Sequence, residues 1–187
     1  EFLKKFLIAN DLKEYEFVLH SYEGCKKVDF AKILQGFVRK QIPTAKVIVH
    51  IDRDQKIDDD RELLKLAEDC KSRDLMLFIT KYQEVESYFC QPQHIHKVYG
   101  VSVEDAPAKY ESFIGELEVE TKRKIKNFIL RERPELIRNK DNQQDVAILD
   151  QKADEWYAGY KNELTLGKEL LGKIKNYAQT ELRQDPN

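Results

Sequence analysis

The chain has 187 residues, of which 41% are apolar and 35% charged, and its formal net charge is −2. This length and apolar content provide for one substantial core and exclude a disordered chain. No apolar run approaches the length that crosses a bilayer, so we expect no membrane insertion. The three cysteines are widely spaced and lack a Cys-x-x-Cys pattern, which favours a reducing cytoplasm over a disulfide framework or a zinc site.

The first half of the chain alternates helical and strand-like patterns. Apolar residues recur at helical spacing in three segments, and aromatic or β-branched residues cluster in three others. Helices are predicted over residues 1–11, 28–42 and 59–73, and strands over 14–22, 46–51 and 75–80. The last two strands have the continuous apolar character of strands covered on both faces. The alternation predicts a parallel sheet flanked by helices.

Two predicted details belong to this first half. The strand over 14–22 is expected to end in a turn at Gly24. The helix over 28–42 is expected to bury one apolar face. That face consists of Phe30, Ile33, Leu34 and Phe37.

The second half of the chain has helical patterns throughout. Ser102, with Asp105 three residues on, predicts the start of a long helical region that Pro134 interrupts. Two further helices are predicted around 144–160 and 167–183, after a polar linker at 141–145. Their apolar stripes are predicted to be core, and consist of Leu149, Ala153, Trp156, Tyr160, Leu170, Leu171, Ile174, Tyr177 and Ala178. Residues 1–100 are therefore predicted to form an α/β core, and 101–187 a helical extension that packs on it.

An acidic pair follows the predicted strand 46–51. Asp52 and Asp54 come at its carboxyl end, where parallel α/β sheets bind ligands. Residues two apart in a strand project to the same side, so both carboxylates could bind one hard cation, and Mg²⁺ or Mn²⁺ suits such ligands better than zinc. The alternative is that the pair is solvated or caps the next helix. The aspartates at 58–60 are expected to start that helix as cap and dipole partners.

A second acidic element, Glu84 and Glu86, follows the predicted strand 75–80. In a parallel sheet it would reach the same edge as the aspartates, and a two-metal phosphoryl-transfer site needs anionic ligands for each ion. Glu86 is favoured as a ligand because Ser87, Tyr88 and Phe89 would anchor it against the core. The alternative is a pair of surface glutamates at the start of a helix.

Three segments, HIDRD at the end of the strand 46–51, EVESYF and LGKELLGKI, resemble the Toprim nuclease domains of the OLD (overcoming lysogenization defect) family and related anti-phage defence effectors. The resemblance covers nearly the whole chain. It implies a Toprim-like parallel sheet of four strands flanked by helices, with a C-terminal helical subdomain. It also implies a two-metal site for Mg²⁺ or Mn²⁺, with Asp52, Asp54 and Glu86 as ligands and Glu84 as a neighbouring candidate. Lys168 would stabilise charge at the scissile phosphate.

One element of the Toprim pattern is missing. The family signature opens with an EGxxD element on a first strand, and no such element precedes the helix at 1–11. Gly24 matches the family's glycine turn, but the Glu23 and Gly24 pair lies on the wrong strand to replace that element. We therefore expect the first strand and its glutamate to lie upstream, in which case the sequence is N-terminally truncated.

The resemblance implies Mg²⁺-dependent hydrolysis of phosphodiester bonds in DNA or RNA, tRNA included, by a cytoplasmic defence effector. A regulatory ATPase is an expected partner because this chain has no P-loop, and a homo-oligomer is left open. A basic run could hold the nucleic-acid backbone through salt-dependent contacts. It could equally be a solvated helix face or a protein-docking surface. The run consists of Lys122, Arg123, Lys124, Lys126 and Arg131.

Two rival functions remain open at this level. A haloacid-dehalogenase-like phosphatase also carries Asp-x-Asp after an apolar strand, but on its first core strand, whereas a strand is predicted before this one. A Toprim-like module that lost its first glutamate could instead serve assembly without catalysis. His94 and His96 lack further histidine or cysteine partners nearby, so we expect a surface or packing role for them rather than metal binding.

Overall fold

The computed structural model describes residues 2–20, 28–136 and 143–184. It is mostly helical and contains a two-stranded parallel sheet flanked by helices. The elements are α1 (Phe2–Ala9), α2 (Val28–Gln41), β1 (Ile48–Ile51), α3 (Arg61–Lys71), β2 (Met76–Ile79), α4 (Pro92–Tyr99), α5 (Asp105–Glu116), α6 (Glu118–Glu132), α7 (Gln143–Leu164) and α8 (Gly167–Thr180). Short 3₁₀ segments lie at Glu14–Glu16, Val85–Cys90 and Pro134–Leu136.

The sheet pairs β1 with β2 in parallel, with Ile48 opposite Met76 and Ile51 opposite Ile79. One face is buried against α2 and α3, in a small apolar cluster. The cluster consists of Ala31, Val49, Ile51, Leu63, Cys70 and Leu75. On the other face, Ile48, Met76 and Phe78 are exposed. Burial of both faces, which the apolar runs predicted, is therefore wrong for the described residues, and a four-stranded Toprim sheet is not confirmed.

Residues 14–20 do not form the strand that their alternation predicted. Glu14–Glu16 is a 3₁₀ segment, closed by Lys13 N donating to Glu16 Oε2 (2.7 Å). Val18, in the extended stretch that comes next, is 93% exposed. A strand needs a neighbour for its backbone groups, and the described part of the chain places none beside this stretch. The predicted turn at Gly24 and the Glu23 and Gly24 pair lie outside the described residues.

Helix α2 has the predicted extent, but the predicted face is wrong. Ala31 and Gln35 are its buried residues, whereas Ile33 and Phe37 are 72% and 64% exposed, and of the predicted face only Leu34 is half-buried. Gln35 Nε2 donates a hydrogen bond to the carbonyl oxygen of Asp74 (2.8 Å), in the turn before β2. A small alanine and a satisfied amide therefore face the sheet cluster, and the apolar stripe points away from it.

Helix α3 begins at Arg61, after the acidic run. Asp60 caps the helix: its Oδ1 accepts hydrogen bonds from the backbone N–H of Glu62 (3.0 Å) and Leu63 (3.2 Å). Asp58 instead pairs with Arg53 at 2.7 Å. The predicted cap is confirmed for Asp60, while Asp58 lies before the helix and stabilises the loop after β1.

Replacing Asp60 with Ala should lower the free energy of unfolding by about 1 to 2 kcal/mol, because two backbone donors at the start of α3 lose their acceptor. Arg133, whose Nη1 lies 3.6 Å from Asp60 Oδ2, loses one of its two acidic partners as well and keeps Glu135. Urea denaturation monitored by circular dichroism measures the change. Asp59→Ala, at an exposed position next to the cap, is the control and should shift stability by less than about 0.5 kcal/mol. Equal losses in the two variants would contradict the capping role.

Helices α4 to α8 surround the larger apolar cluster. The predicted stripes of the last two helices are its core, with Ala153 and Ile174 fully buried. Helices α6 and α7 run antiparallel, since Lys122 pairs with Asp154 and Lys126 with Asp150. The cluster also takes in Ile57 and Cys90, so the segments after both strands pack with the helices.

Two further predictions concern this helical half. The hydroxyl of Ser102 accepts from the backbone N–H of Asp105 at 3.0 Å, which confirms the predicted helix start. The predicted linker is wrong from residue 143 onward, where α7 begins, and residues 141–142 lie outside the described ranges.

The backbone of Tyr160 kinks α7 near its end. No described helix is long and apolar enough to cross a membrane.

Candidate active site

The loops after β1 and β2 meet at the carboxyl edge of the sheet. Arg53 N donates to Thr80 Oγ1 (2.8 Å), and Asp54 N donates to the carbonyl oxygen of Gln83 (2.8 Å). These bonds hold the loop that carries the two aspartates beside the loop that carries the two glutamates. The structure therefore brings together the acidic elements that the sequence placed after separate strands.

Lys168 reaches this edge from the first turn of α8. Its Nζ lies 2.9 Å from Glu84 Oε2 and 3.9 Å from Glu86 Oε1. Its backbone N–H donates to Glu84 Oε1 at 2.7 Å. The hydrogen bond and the charge of Glu84 raise the pKa of Lys168, with smaller contributions from Glu86 and Asp52. Lys168 is therefore a fixed ammonium group at neutral pH, beside the acids predicted to accompany it.

Asp52 is the carboxylate with the least compensated charge at this edge. Burial raises its pKa, His50 opposes this rise, and Asp54, Glu84 and Glu86 add to it. Its Oδ1 atom is buried and accepts no hydrogen bond from the described residues, although His50 Nε2 lies 3.8 Å away. Negative charge is therefore concentrated around Asp52 with only this imidazole beside the buried oxygen, which is the condition that a bound cation would relieve.

Asp54 is oriented differently from Asp52. Strand β1 ends at Ile51, and Asp54 has a left-handed backbone with φ of 55°, so strand alternation does not align the two side chains. Aspartate tolerates this conformation better than most residues. Asp54 Oδ2 lies 3.6 Å from the Nζ of Lys56, a nearly buried lysine whose Nζ is also 5.6 Å from the ring centre of Phe128. The carboxylate of Asp54 thus faces the helical half of the protein.

The carboxylate oxygens at this edge are ligands that suit a hard divalent cation, but only some of them lie close together. Across residues 2–20, 28–136 and 143–184, no three His, Cys, Asp or Glu side chains form a group that could hold a metal ion. Both oxygens of Glu84 contact Lys168. Asp52, with its buried oxygen that accepts no hydrogen bond, and Glu86 are the carboxylates that would hold Mg²⁺ or Mn²⁺, with Asp54 in the same loop. A two-metal site stays a prediction.

The basic residues predicted to bind nucleic acid lie on α6. They are Lys122, Arg123, Lys124, Lys126 and Arg131. Most of them face acidic partners: Lys122 lies 2.8 Å from Asp154, and Lys126 lies 2.6 Å from Asp150. Arg123 pairs with Glu120, and Arg131 with Glu132. These pairs neutralise much of the charge that would attract a phosphate backbone, and the nucleic-acid role stays a prediction.

The two histidines of α4 differ in their surroundings. The ring of His94 packs edge-on to Phe89 (5.6 Å) and Tyr99 (6.2 Å), and burial lowers its pKa. His96 is exposed, and its Nδ1 lies 2.7 Å from the carbonyl oxygen of Val101. One histidine therefore has a packing role, and the other, at the surface, stabilises the turn between α4 and α5.

Two residues at the site were missed by sequence reasoning. Gln83 Oε1 accepts from the backbone N–H of Gly167 at 3.2 Å. A Cβ atom on Gly167 would lie 2.3 Å from Ser87 Oγ and 2.9 Å from Glu84 Cγ, so α8 approaches the Val85–Cys90 segment as closely as only glycine allows. The glycine directly before Lys168, at a helix start, is the signal that could have indicated this contact.

Asp52→Asn should raise the free energy of unfolding at neutral pH in metal-free buffer. Because the pKa of Asp52 is raised in the folded protein, protonation of this carboxyl stabilises the fold. That stabilisation is fully present below the ordinary pKa of 3.8 and is lost as the pH rises through the raised pKa. Wild type and variant should therefore converge in acid and diverge toward neutral pH, with the variant the more stable. Urea unfolding in EDTA across this range measures the difference. An equal, pH-dependent gain in Asp59→Asn, at an exposed site, would contradict the assignment.

A scan against protein-family models, a search of curated proteins and a search of solved structures each found no match to this chain.

Proposed function

We propose that this protein is a metal-dependent phosphodiester hydrolase of the Toprim type that acts on DNA or RNA. The observation that carries the proposal is the meeting of acids with a fixed cation at one sheet edge. Glu84 and Glu86 lie 2.9 and 3.9 Å from Lys168 Nζ, and both raise the pKa of Asp52. An acidic cluster that attracts a cation, next to an ammonium group, suits the charge that develops during phosphoryl transfer.

The residues divide into two roles in this proposal. Asp52 and Glu86, with Asp54, would hold Mg²⁺ or Mn²⁺, which when bound polarises a phosphate and lowers the pKa of a water. Lys168 would donate from its ammonium group to an oxygen of the scissile phosphate, and its raised pKa keeps that proton in place at neutral pH. A second cation would need a further acidic ligand, which the Toprim resemblance assigns to a glutamate that this sequence does not contain.

The substrate and partners are proposed from the resemblance alone. DNA and RNA, tRNA included, are the substrate classes, and a regulatory ATPase would control cleavage in an anti-phage defence system. Self-association into a homo-oligomer is left open. The salt pairs on α6 reduce the support for phosphate binding there, so we place the expected contact with the scissile phosphate at Lys168.

The test is incubation of the full-length protein with plasmid DNA and with total tRNA, in Mg²⁺, in Mn²⁺ and in EDTA. We expect cleavage of one of these substrates in the divalent cations and none in EDTA. Hydrolysis of p-nitrophenyl phosphate without cleavage of either nucleic acid would instead indicate the haloacid-dehalogenase-like phosphatase. Inactivity of the folded full-length protein on all three substrates would refute the proposed hydrolase.

A non-catalytic assembly module is the second candidate, and one observation favours it. Helix α2 exposes Phe30, Ile33 and Phe37, an apolar stripe suited to a protein contact. Sedimentation of the protein alone tests this candidate, since self-association that Phe37→Ser abolishes, together with inactivity in all nuclease assays, would support it.

A further inference from the structure

We infer that Glu84 is a positioning residue, whose carboxylate fastens the amino end of α8 to the sheet edge and so places Lys168 at the site. The inference rests on the proposed function in one respect, namely that Lys168 acts on a phosphate. It gives the two glutamates after β2 different tasks, although both were predicted as metal ligands.

The carboxylate of Glu84 contacts Lys168 at two points. Oε1 accepts from the backbone N–H at 2.7 Å, and Oε2 lies 2.9 Å from Nζ. The side chain of Glu84 is 9% exposed, whereas that of Lys168 is 66% exposed, so a buried carboxylate holds an ammonium group that is open to solvent. One buried carboxylate thus fixes both the backbone and the ammonium group of the same residue.

Helix α8 has no cap of its own. Its N-cap residue is Leu166, which makes no side-chain capping hydrogen bond because it has no acceptor. The first N–H groups of a helix lack partners within the helix and carry the positive end of its dipole. Gln83 Oε1 accepts from Gly167 N, and Glu84 Oε1 accepts from Lys168 N. The segment after β2 therefore caps α8 from 84 residues away in the sequence.

The same segment is tied to the loop after β1. The carbonyl oxygen of Gln83 accepts from the backbone N–H of Asp54 at 2.8 Å. Residues 83 and 84 thus join the aspartate loop on one side to the start of α8 on the other. Movement of Glu84 would separate Lys168 from the acids that it faces.

Glu86 differs from Glu84 in these respects. It lies 3.9 Å from Lys168 Nζ, beyond hydrogen-bonding distance, and no backbone N–H of α8 contacts it in the described structure. Its carboxylate is therefore available to a cation while that of Glu84 is engaged. The two residues should respond differently to substitution.

The experiment compares Glu84→Gln and Glu84→Ala with Glu86→Gln, using amide hydrogen exchange and cleavage rates. The exchange rate of the Lys168 amide, relative to that of Ile174 in the same helix, should rise roughly ten- to a hundredfold in Glu84→Ala. It should rise less in Glu84→Gln, which keeps an acceptor oxygen. Glu116→Gln is the matched control: Glu116 pairs with Lys173 of the same helix at 2.6 Å, and its loss should leave Lys168 exchange unchanged.

Cleavage assays separate positioning from metal binding. Glu84→Gln should lower kcat about tenfold while the Mg²⁺ concentration for half-maximal rate stays unchanged, whereas Glu86→Gln should raise that concentration. A raised Mg²⁺ requirement in Glu84→Gln, or unaltered Lys168 exchange in a folded Glu84→Ala, would overturn the inference. An inactive wild type would refute the proposed function, and amide exchange would still decide the role of Glu84.

Discussion

Replacing Asp52 with Asn should reduce Mg²⁺-dependent cleavage by roughly a hundredfold or more, since the loss of several kcal/mol of metal-assisted stabilisation corresponds to that factor. Asp52 directly follows β1 and has a buried oxygen that accepts no hydrogen bond from the described residues and lies 3.8 Å from His50 Nε2. Asparagine keeps the shape and one oxygen but removes the charge that would hold the cation. Initial rates on the cleaved substrate, over a range of Mg²⁺ concentrations, measure the effect.

The stability of the same variant makes this result interpretable. Because Asp52→Asn should be more stable than wild type in metal-free buffer at neutral pH, a loss of cleavage cannot be attributed to unfolding. Asp54→Asn is a second probe, since asparagine also tolerates the left-handed backbone at that position. Asp59→Asn, at an exposed site, should leave the rate unchanged. Wild-type rates in both Asp52→Asn and Asp54→Asn would refute the proposed cation site.

Periodic patterns predicted the elements whose burial depends on neighbours close in sequence. Strands β1 and β2 lie within the predicted apolar runs, and α3 between them makes the predicted crossover. In the helical half, the stripes that include Trp156 and Leu170 are buried as expected. Each of these segments has one apolar face that packs against neighbouring elements, so the spacing of its apolar residues was enough to predict which face is buried.

Tertiary context overruled local pattern elsewhere. The alternation over residues 14–20 has the composition of a strand, but a strand also requires a pairing partner, and composition does not supply one. In α2 the larger side chains of Ile33 and Phe37 were expected inside, yet Ala31 and Gln35 face the sheet. A buried glutamine is acceptable there because the carbonyl of Asp74 accepts from its amide, a contact over 39 residues that periodicity does not reveal.

The candidate site was predictable to the extent that strand ends define it. Parallel strands deliver the loops at their carboxyl ends to one edge of the sheet, so the spacing of the strands already placed Asp52 and Glu86 near each other. Lys168 was predicted as a site residue only because the GKE segment resembles the Toprim pattern. The use of Glu84 as a cap for α8 was not predictable, because a side chain that caps a distant helix has no local sequence signature.

Gly167→Ala should destabilise the protein by about 1 to 3 kcal/mol, the usual range for an overpacked contact. The added Cβ would lie 2.3 Å from Ser87 Oγ, 2.8 Å from the backbone nitrogen of Ser87 and 2.9 Å from Glu84 Cγ. Side-chain rotation could relieve the first clash, but the second involves backbone, so α8 must move away from the sheet edge. Lys168 would move with it, and cleavage should fall together with stability.

Gly172→Ala is the matched control for this change, since both glycines lie in α8 and a Cβ on Gly172 meets nothing within 4 Å. Alanine is the better helix former by about 1 kcal/mol, so Gly172→Ala should be neutral or stabilising. Urea denaturation of both variants therefore separates helix propensity, which favours alanine at either position, from the close approach at Gly167. If Gly167→Ala proved as stable as Gly172→Ala, α8 would not be held against the Val85–Cys90 segment, and the placement of Lys168 by that contact would be wrong.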